Sequence, residues 1–189
     1  MENIVRPIEL LRKYYQDSPS ALQIILNHSR LVTKRAVRIA RTISSYETVD
    51  INFIAEAAML HDIGSIFTYA PDLDCFGKLP YICHGIKGKE ALTAEGLPGH
   101  ALVCERHIGV GLTAEEIERN GFPLPLRDMT PISLEEQIIC YADLFFSKNL
   151  RDRGKEKEIK TVRATLRRFG AGKVEIFDRW QKRFEAEPI

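Results

Sequence analysis

The sequence predicts an all-α helical bundle. Apolar residues recur at helical spacing in successive stretches, capping residues open those stretches, and the β-branched alternation that a sheet requires is absent. At 189 residues, with 44% apolar and 28% charged side chains, the chain is expected to fold as one domain, 1–189. The core is expected over about 20–148 and two closing helices over about 155–186.

The elements follow in order. Ser18-Pro19 reads as an N-cap with proline at the first helical position. Ile24, Ile25, Leu31, Val32, Ile39 and Ile43 then form one apolar stripe, and His28 lies on it. Asp50 is placed to cap a second helix through Phe53, Ile54, Ala57, Ala58 and Leu60, with Gly64 as a stop. Thr68 to Pro80, with Pro71, Gly77 and several acids, reads as a loop. A third helix should run from near His84 to Gly96. A fourth should start after Pro98-Gly99 and carry Leu102, Val103 and Arg106 up to His107. Thr113-Ala114-Glu115-Glu116 is a capping box for a short helix ending at Gly121. Phe122 to Pro131 holds three prolines and reads as a loop. Ser133-Leu134-Glu135-Glu136 reads as a second capping box, opening a helix with Ile138, Ile139, Ala142, Asp143 and Phe146. From Lys148 to Arg168 cations crowd together, including Arg151 and Arg153. Val162, Leu166, Val174, Phe177 and Trp180 suggest two last helices broken at Gly170–Gly172.

Bulk properties narrow the function classes. A net charge of +1 gives the whole molecule no strong field for polyanions, so a nucleic-acid partner is open but not indicated. Met1-Glu2-Asn3 is followed by no apolar leader segment, and no apolar run approaches membrane-span length. Cys75, Cys83, Cys104 and Cys140 lack the close pairing of a zinc knuckle or redox motif. They read as reduced thiols in a cytoplasmic protein, with soft-metal ligation by Cys83 or Cys104 as a minor alternative.

The chemistry concentrates at His61-Asp62. The pair offers a neutral nitrogen and an anionic oxygen at one point, and a carboxylate can bridge two ions. His28 precedes it, and His84, His107 and Asp143 follow, each near a helix end or on an apolar face. An Asp on a buried face is costly unless paired or metal-bound. Four of these residues, His28, His61, Asp62 and Asp143, would hold one ion; all six would hold two, bridged by Asp62. Mixed imidazole and carboxylate ligation suits Mn, Fe, Zn or Co better than Ca or Mg, and Ni is also open. Each residue has a plainer reading. His28 alone suits a satisfied core histidine, Asp143 a buried Arg partner, His84 a polar helix start, and His107 a helix C-terminus. His100 reads as surface or pocket rim.

This ordered set resembles the HD-domain superfamily of metal-dependent phosphohydrolases. The resemblance rests on His28-Ser29-Arg30-Leu31-Val32, His61-Asp62-Ile63-Gly64 and Tyr141-Ala142-Asp143-Leu144, and covers roughly Ser20 to Lys148. His84-Gly85 and the run Arg106-His107-Ile108-Gly109 look like the extra histidines of the binuclear branch, which includes diadenosine tetraphosphate hydrolases and cyclic-dinucleotide phosphodiesterases. The stretch from His107 through Asp143 is similar to small stand-alone HDIG proteins, some labelled RNA-methylase-associated. The resemblance implies an HD-type bundle and hydrolysis of a nucleotide or related phosphoester. In that reading a metal-bound hydroxide attacks phosphorus, two ions (Fe or Mn) are the cofactors, and Asp62 is the bridge that also orients the nucleophile. Lys87, Arg106 and Lys148 are candidates for substrate phosphate, and His100 or a metal-bound water for the general acid. One departure is Ser65, where many relatives carry Lys or Arg, so phosphate contact must come from elsewhere. Two other classes stay open: a metal-stabilised nucleotide-binding regulatory module without turnover, and a di-iron oxygenase of the same fold. Oligomeric state is not legible.

Overall fold

The computed structural model describes residues 5–149, 152 and 154–185. Arg151 and Arg153 of the basic stretch, and position 186 of the expected closing segment, lie outside the described residues. Among those described, the helices are α1 (Pro7–Tyr14), α2 (Pro19–Ile43), α3 (Ile51–Leu60), α4 (His84–Ala94), α5 (Pro98–Arg106), α6 (Ala114–Arg119), α7 (Leu134–Asp143), α8 (Ile159–Arg167) and α9 (Ala171–Phe184). The all-α prediction holds. None of the helices is long and apolar enough to cross a membrane.

The sequence reading passed over α1. Its signals are short but present: Pro7 in the first turn, Glu9 near the start, Arg12 and Lys13 in the last turn, and Leu11 and Tyr15 four apart. Leu11 and Tyr15 are both buried, and α1 packs on α3. α2 starts at Pro19 as expected, but Ser18 makes no side-chain capping bond, so proline geometry alone sets that end. α3 is capped as predicted, with the Phe53 N–H donating to Asp50 Oδ1 at 2.8 Å.

Several expectations need correction. Gly64 is not a helix stop: α3 ends at Leu60, and Gly64 lies in a 3₁₀ turn, Ile63–Phe67. A Cβ there would stand 2.1 Å from the His84 carbonyl oxygen and 2.3 Å from the Gly88 nitrogen, so glycine lets this turn touch the backbone of α4. The segment read as a bare loop forms a small sheet of β1 (Thr68–Ala70), β2 (Cys75–Phe76) and β3 (Leu79–Pro80), in the order β2-β1-β3. Its strands are too short for periodicity to reveal them. Finally, Ser133 caps α7 by accepting from the Glu136 N–H at 3.1 Å, but the Glu136 carboxylate accepts from the Ile132 N–H at 2.6 Å and from Arg106, so the second capping box is half made. α7 also ends at Asp143, leaving Phe146 beyond it. The first capping box, at Thr113 and Glu116, is complete. The break between α8 and α9 falls at Gly170, with φ 125°, while Gly172 lies inside α9.

Two apolar clusters form the core. One joins α2, α3 and α7 to the closing helices through Tyr141, Phe145, Phe177 and Phe184; the other joins α1 and the start of α2 to Leu60, Ile63, Leu92 and Cys104. α2 passes from one to the other between Leu26 and Val32, and His28 lies at that junction.

Candidate metal centre

Five helices deliver their ends or inward faces to one point. His28 comes from the body of α2, His61 and Asp62 from the end of α3, His84 from the first residue of α4, His107 from just past α5, and Asp143 from the last residue of α7. All six predicted ligands are brought together.

Three of the histidines are aimed by the same local device. The Nδ1–H of His61 donates to the Ala58 carbonyl at 2.7 Å, that of His84 to Tyr81 at 2.7 Å, and that of His107 to Cys104 at 2.8 Å, each three residues back. Carbonyls in a closing helical turn need donors, and these imidazoles supply them. The bond fixes the tautomer and leaves each Nε2 lone pair facing inward, as ligating histidines require. Tyr81 also stacks on His84, with centroids 4.5 Å apart and planes at 15°. Glycines bring the carriers close: a Cβ at Gly85 would lie 2.7 Å from the Cys104 carbonyl oxygen, and one at Gly88 would press Cys104.

Asp62 is wholly buried, and its two oxygens face different partners. Oδ2 is 3.3 Å from His28 Nε2 and 3.1 Å from His61 Nε2; Oδ1 is 3.5 Å from both His84 Nε2 and His107 Nε2. Asp143 Oδ1 lies 2.9 Å from His28 Nε2 and 3.6 Å from His61 Nε2. The nitrogens also crowd one another, at 3.3 Å for His28 with His61 and 3.1 Å for His84 with His107. The only cationic side chain paired with Asp62 among the described residues is Lys148, with Nζ 2.7 Å from Oδ2; Oδ1 has no hydrogen-bond donor. Buried lone pairs converging on buried carboxylate oxygens are tolerable only around positive charge. The donor set therefore fits a divalent transition ion, and His28, His61 and Asp143, or His61, Asp62 and His107, have ligand atoms within 4.8 Å of one another.

The charges are strongly coupled. Burial pushes the Asp62 carboxyl up, but His61 and Lys148 outweigh it and hold it well below the usual range. Asp143 is likewise held low, against burial, by Lys148 and His28. His61 is raised to about 10 by Asp62 and Asp143 despite its burial, whereas His84, buried beside His107, is pushed down to about 3.

The three predicted phosphate contacts separate. Lys148 enters the centre: its Nζ lies 2.7 Å from Asp62 Oδ2 and 5.8 Å from the Tyr81 ring centroid. Arg106 is engaged by Glu136 at 2.9 Å, and Lys87 pairs with Glu90 on its own helix, so neither is brought to the ligands. His100, expected at a surface or rim, is buried against Phe53, with its Nε2 3.2 Å from Glu56 Oε2. It sits at the far end of α5 from His107, roughly 10 Å along the axis, with Glu56 and Phe53 as its neighbours. All four cysteines are buried free thiols, and Cys83 and Cys104 turn to carbonyls of Pro123 and Leu60 rather than to the ligands. Two participants escaped the sequence reading. Tyr15 donates to the Asp62 carbonyl at 3.3 Å, and Tyr81 orients His84. Tyr15 belonged to the overlooked first helix; Tyr81 fell between the stretch read as loop, which ended at Pro80, and the helix expected near His84.

A cavity of about 540 Å³ opens at Tyr69, Leu73, Tyr81, Phe146, Lys148 and Lys157, placing Lys148 between solvent and Asp62. Residues 25–146 match the HD domain family. A tRNA (cytidine(56)-2′-O)-methyltransferase of Thermoplasma volcanium is 31% identical over 76% of this chain and 36% of its own length. The enzyme of that name from Picrophilus torridus is 32% identical over 75% of this chain and 39% of its own. An uncharacterized protein of Methanocaldococcus jannaschii is 37% identical over 63% of this chain and 64% of its own. The chain thus spans between about a third and two thirds of these relatives' lengths. No solved structure matches it.

Proposed function

This chain belongs to the HD-domain family, and on that premise we propose that it is a metal-dependent phosphohydrolase acting on a nucleotide or related phosphoester. One observation carries the reading: a wholly buried carboxylate, Asp62, turns one oxygen to His28 and His61 and the other to His84 and His107. His28, His61, Asp62 and Asp143 would hold one ion, and His84 and His107 with Asp62 a second. Divalent ions of this kind polarise phosphoryl oxygens and make water a better nucleophile near neutral pH.

The chain's own residues do the rest. The backbone-bonded imidazoles keep their lone pairs aimed inward, so little reorganisation is needed on binding. Lys148, lining the cavity and touching Asp62, offers a point charge to substrate phosphate, the role that Ser65 cannot fill. Tyr69, exposed at the same cavity, offers an aromatic face to a base. In the reaction, water adds across a P–O ester bond, its oxygen to phosphorus and a proton to the departing oxygen. Two relatives bear a tRNA-modifying name, which supports an RNA-related substrate or partner. Four buried free thiols suit a reducing cytoplasm.

The test is metal analysis of anaerobically purified protein, then a product screen over nucleotides, dinucleoside polyphosphates and small phosphodiesters with Mn, Fe, Co and Zn. Asp62→Asn keeps the shape but removes the bridging charge, so turnover should fall on the order of a hundredfold or more. Wild-type turnover in that variant refutes the mechanism. Binding without turnover under every metal points instead to a regulatory module, and O₂ consumption by the iron form to an oxygenase.

A further inference from the structure

We propose that α2 carries a track for the backbone of a single-stranded polynucleotide, leading into the metal centre. This rests on the phosphohydrolase reading above and narrows its substrate to a phosphodiester of such a strand.

The first observation is charge. α2 contains Arg30, Lys34, Arg35, Arg38 and Arg41 and no acid in 25 residues. Arg35 is buried and committed to Glu156 and Glu185. Lys34, Arg38 and Arg41 are exposed and have no ion-pair partner among the described residues. The near-neutral net charge conceals this local excess.

The second is shape. Those three cations line a groove of about 810 Å³, with Leu31, Val37 and Phe146 as its apolar wall. Beside it a small space of about 20 Å³, lined by Asn27, His28, Leu31, Lys148 and Gly154, separates the groove from the metal centre. Leu31 and Gly154 border both spaces, and Phe146 and Lys148 also border the cavity at Tyr81. The groove at Arg41 and the cavity at Lys148 therefore meet at Phe146, and a strand laid along the cations of α2 passes over that ring into the substrate cavity.

The third is periodicity. Positions 27, 31, 34, 38 and 41 advance by four, three, four and three, which keeps them on one helical face. At 1.5 Å per residue, Lys34 to Arg41 spans roughly 10 Å and His28 to Arg41 roughly 20 Å. A row of cations beside apolar and aromatic surface is how non-specific single-strand sites hold phosphate and base together. An anionic membrane would meet a flat face; this surface is concave and ends at a buried centre.

The experiment measures fluorescence anisotropy of labelled oligo-uridylate and oligo-thymidylate on the full chain, without added metal, across a salt series. Three phosphate contacts predict a slope of log affinity against log salt of about −2. Arg38→Ala with Arg41→Ala should weaken binding on the order of tenfold and flatten the slope by about 1.4. Lys160→Ala with Lys182→Ala, exposed cations on other helices, should match wild type, and melting curves confirm that each variant folds. Tighter binding of the ribo-oligomer would identify the strand as RNA. Absent binding of both oligomers, or equal binding by the Arg38/Arg41 pair variant, overturns the track. So does preferential binding to phosphatidylserine vesicles that the pair variant loses. Wild-type turnover of a small phosphodiester with Mn reads the hydrolase separately: turnover without oligomer binding sinks the track alone, and binding without any turnover sinks the substrate assignment.

Discussion

Gly64→Ala adds one methyl group at the contact that sets the second half of the metal centre. Its carbon would stand 2.1 Å from the His84 carbonyl oxygen and 2.3 Å from the Gly88 nitrogen. Comfortable separation is roughly 3.5 Å, so the two backbones must part by more than about 1 Å. Both obstacles are main-chain atoms of α4, so no side-chain rotation relieves the clash. Crowding of this kind costs about 1–3 kcal/mol, or about 5 °C in melting temperature at the middle of that range for a chain of this size. The functional effect is sharper. His84 Nε2 already stands 3.5 Å from Asp62 Oδ1 and 3.1 Å from His107 Nε2, and metal coordination tolerates about 0.2 Å. The variant should therefore load fewer ions than wild type, losing the His84–His107 side first. The assays are metal content after Mn reloading and thermal melts by circular dichroism. Gly172→Ala is the control: a Cβ there meets nothing within 4 Å inside α9, so it should leave metal content unchanged and stabilise by a few tenths to about 1 kcal/mol. Wild-type metal content and melting temperature in Gly64→Ala would refute the claim that this contact positions His84.

Chelation should lower the melting temperature by about 5–10 °C, since an ion at a hundred times its dissociation constant contributes about 2.7 kcal/mol; coincident melts with and without chelator would contradict a metal-stabilised fold. His84→Ala with His107→Ala should reduce bound Mn from two ions per chain to one, and an unchanged ratio would count against the divided donor set. Glu105, buried between Lys89 at 2.6 Å and Arg127, keeps its carboxyl lowered against burial by those two cations. Its contribution is present above about pH 4.3 and lost as pH falls through the lower folded value, so Glu105→Gln should flatten the acid limb of a stability–pH profile; identical limbs would show that the triad does not titrate with unfolding.

The clustering residues were legible because each one breaks a local pattern. His28 interrupts an apolar stripe, Asp143 is an acid on an inward face, and His61-Asp62 ends a strongly apolar helix. The caps at Asp50 and Thr113 were legible because a short side chain there bonds an amide three residues on. Features that depend on distant partners were not. Gly64 announces only flexibility until α4 lies against it. Arg106 and Lys148 look alike as cations, yet Glu136 claims one and Asp62 draws in the other. His100 carried no sign of Glu56, which is 44 positions away in the chain.

α2 shows how one helix can serve core, centre and surface at once. Its turn of 3.6 residues separates three rows. Ile25, Val32, Ala36, Ile39 and Ile43 face the core and are buried. Lys34, Arg38 and Arg41 lie on the groove side and are exposed. His28 and Arg35, seven apart and so nearly in register, form the border between these rows. Both are buried polar groups, and each is matched by carboxylates brought from elsewhere: Asp62 and Asp143 for His28, Glu156 and Glu185 for Arg35. Arg35 also lies over Phe145, 3.6 Å from the ring centroid, and Phe145 packs with Tyr141 just before and Phe177 on α9. The pairing that clamps the 156 segment to α2 thereby closes the far side of the groove, and the same helix rotation that aims His28 at Asp62 turns the free cations outward. The orientation of His28 and that of the proposed track are thus set by one helix rotation.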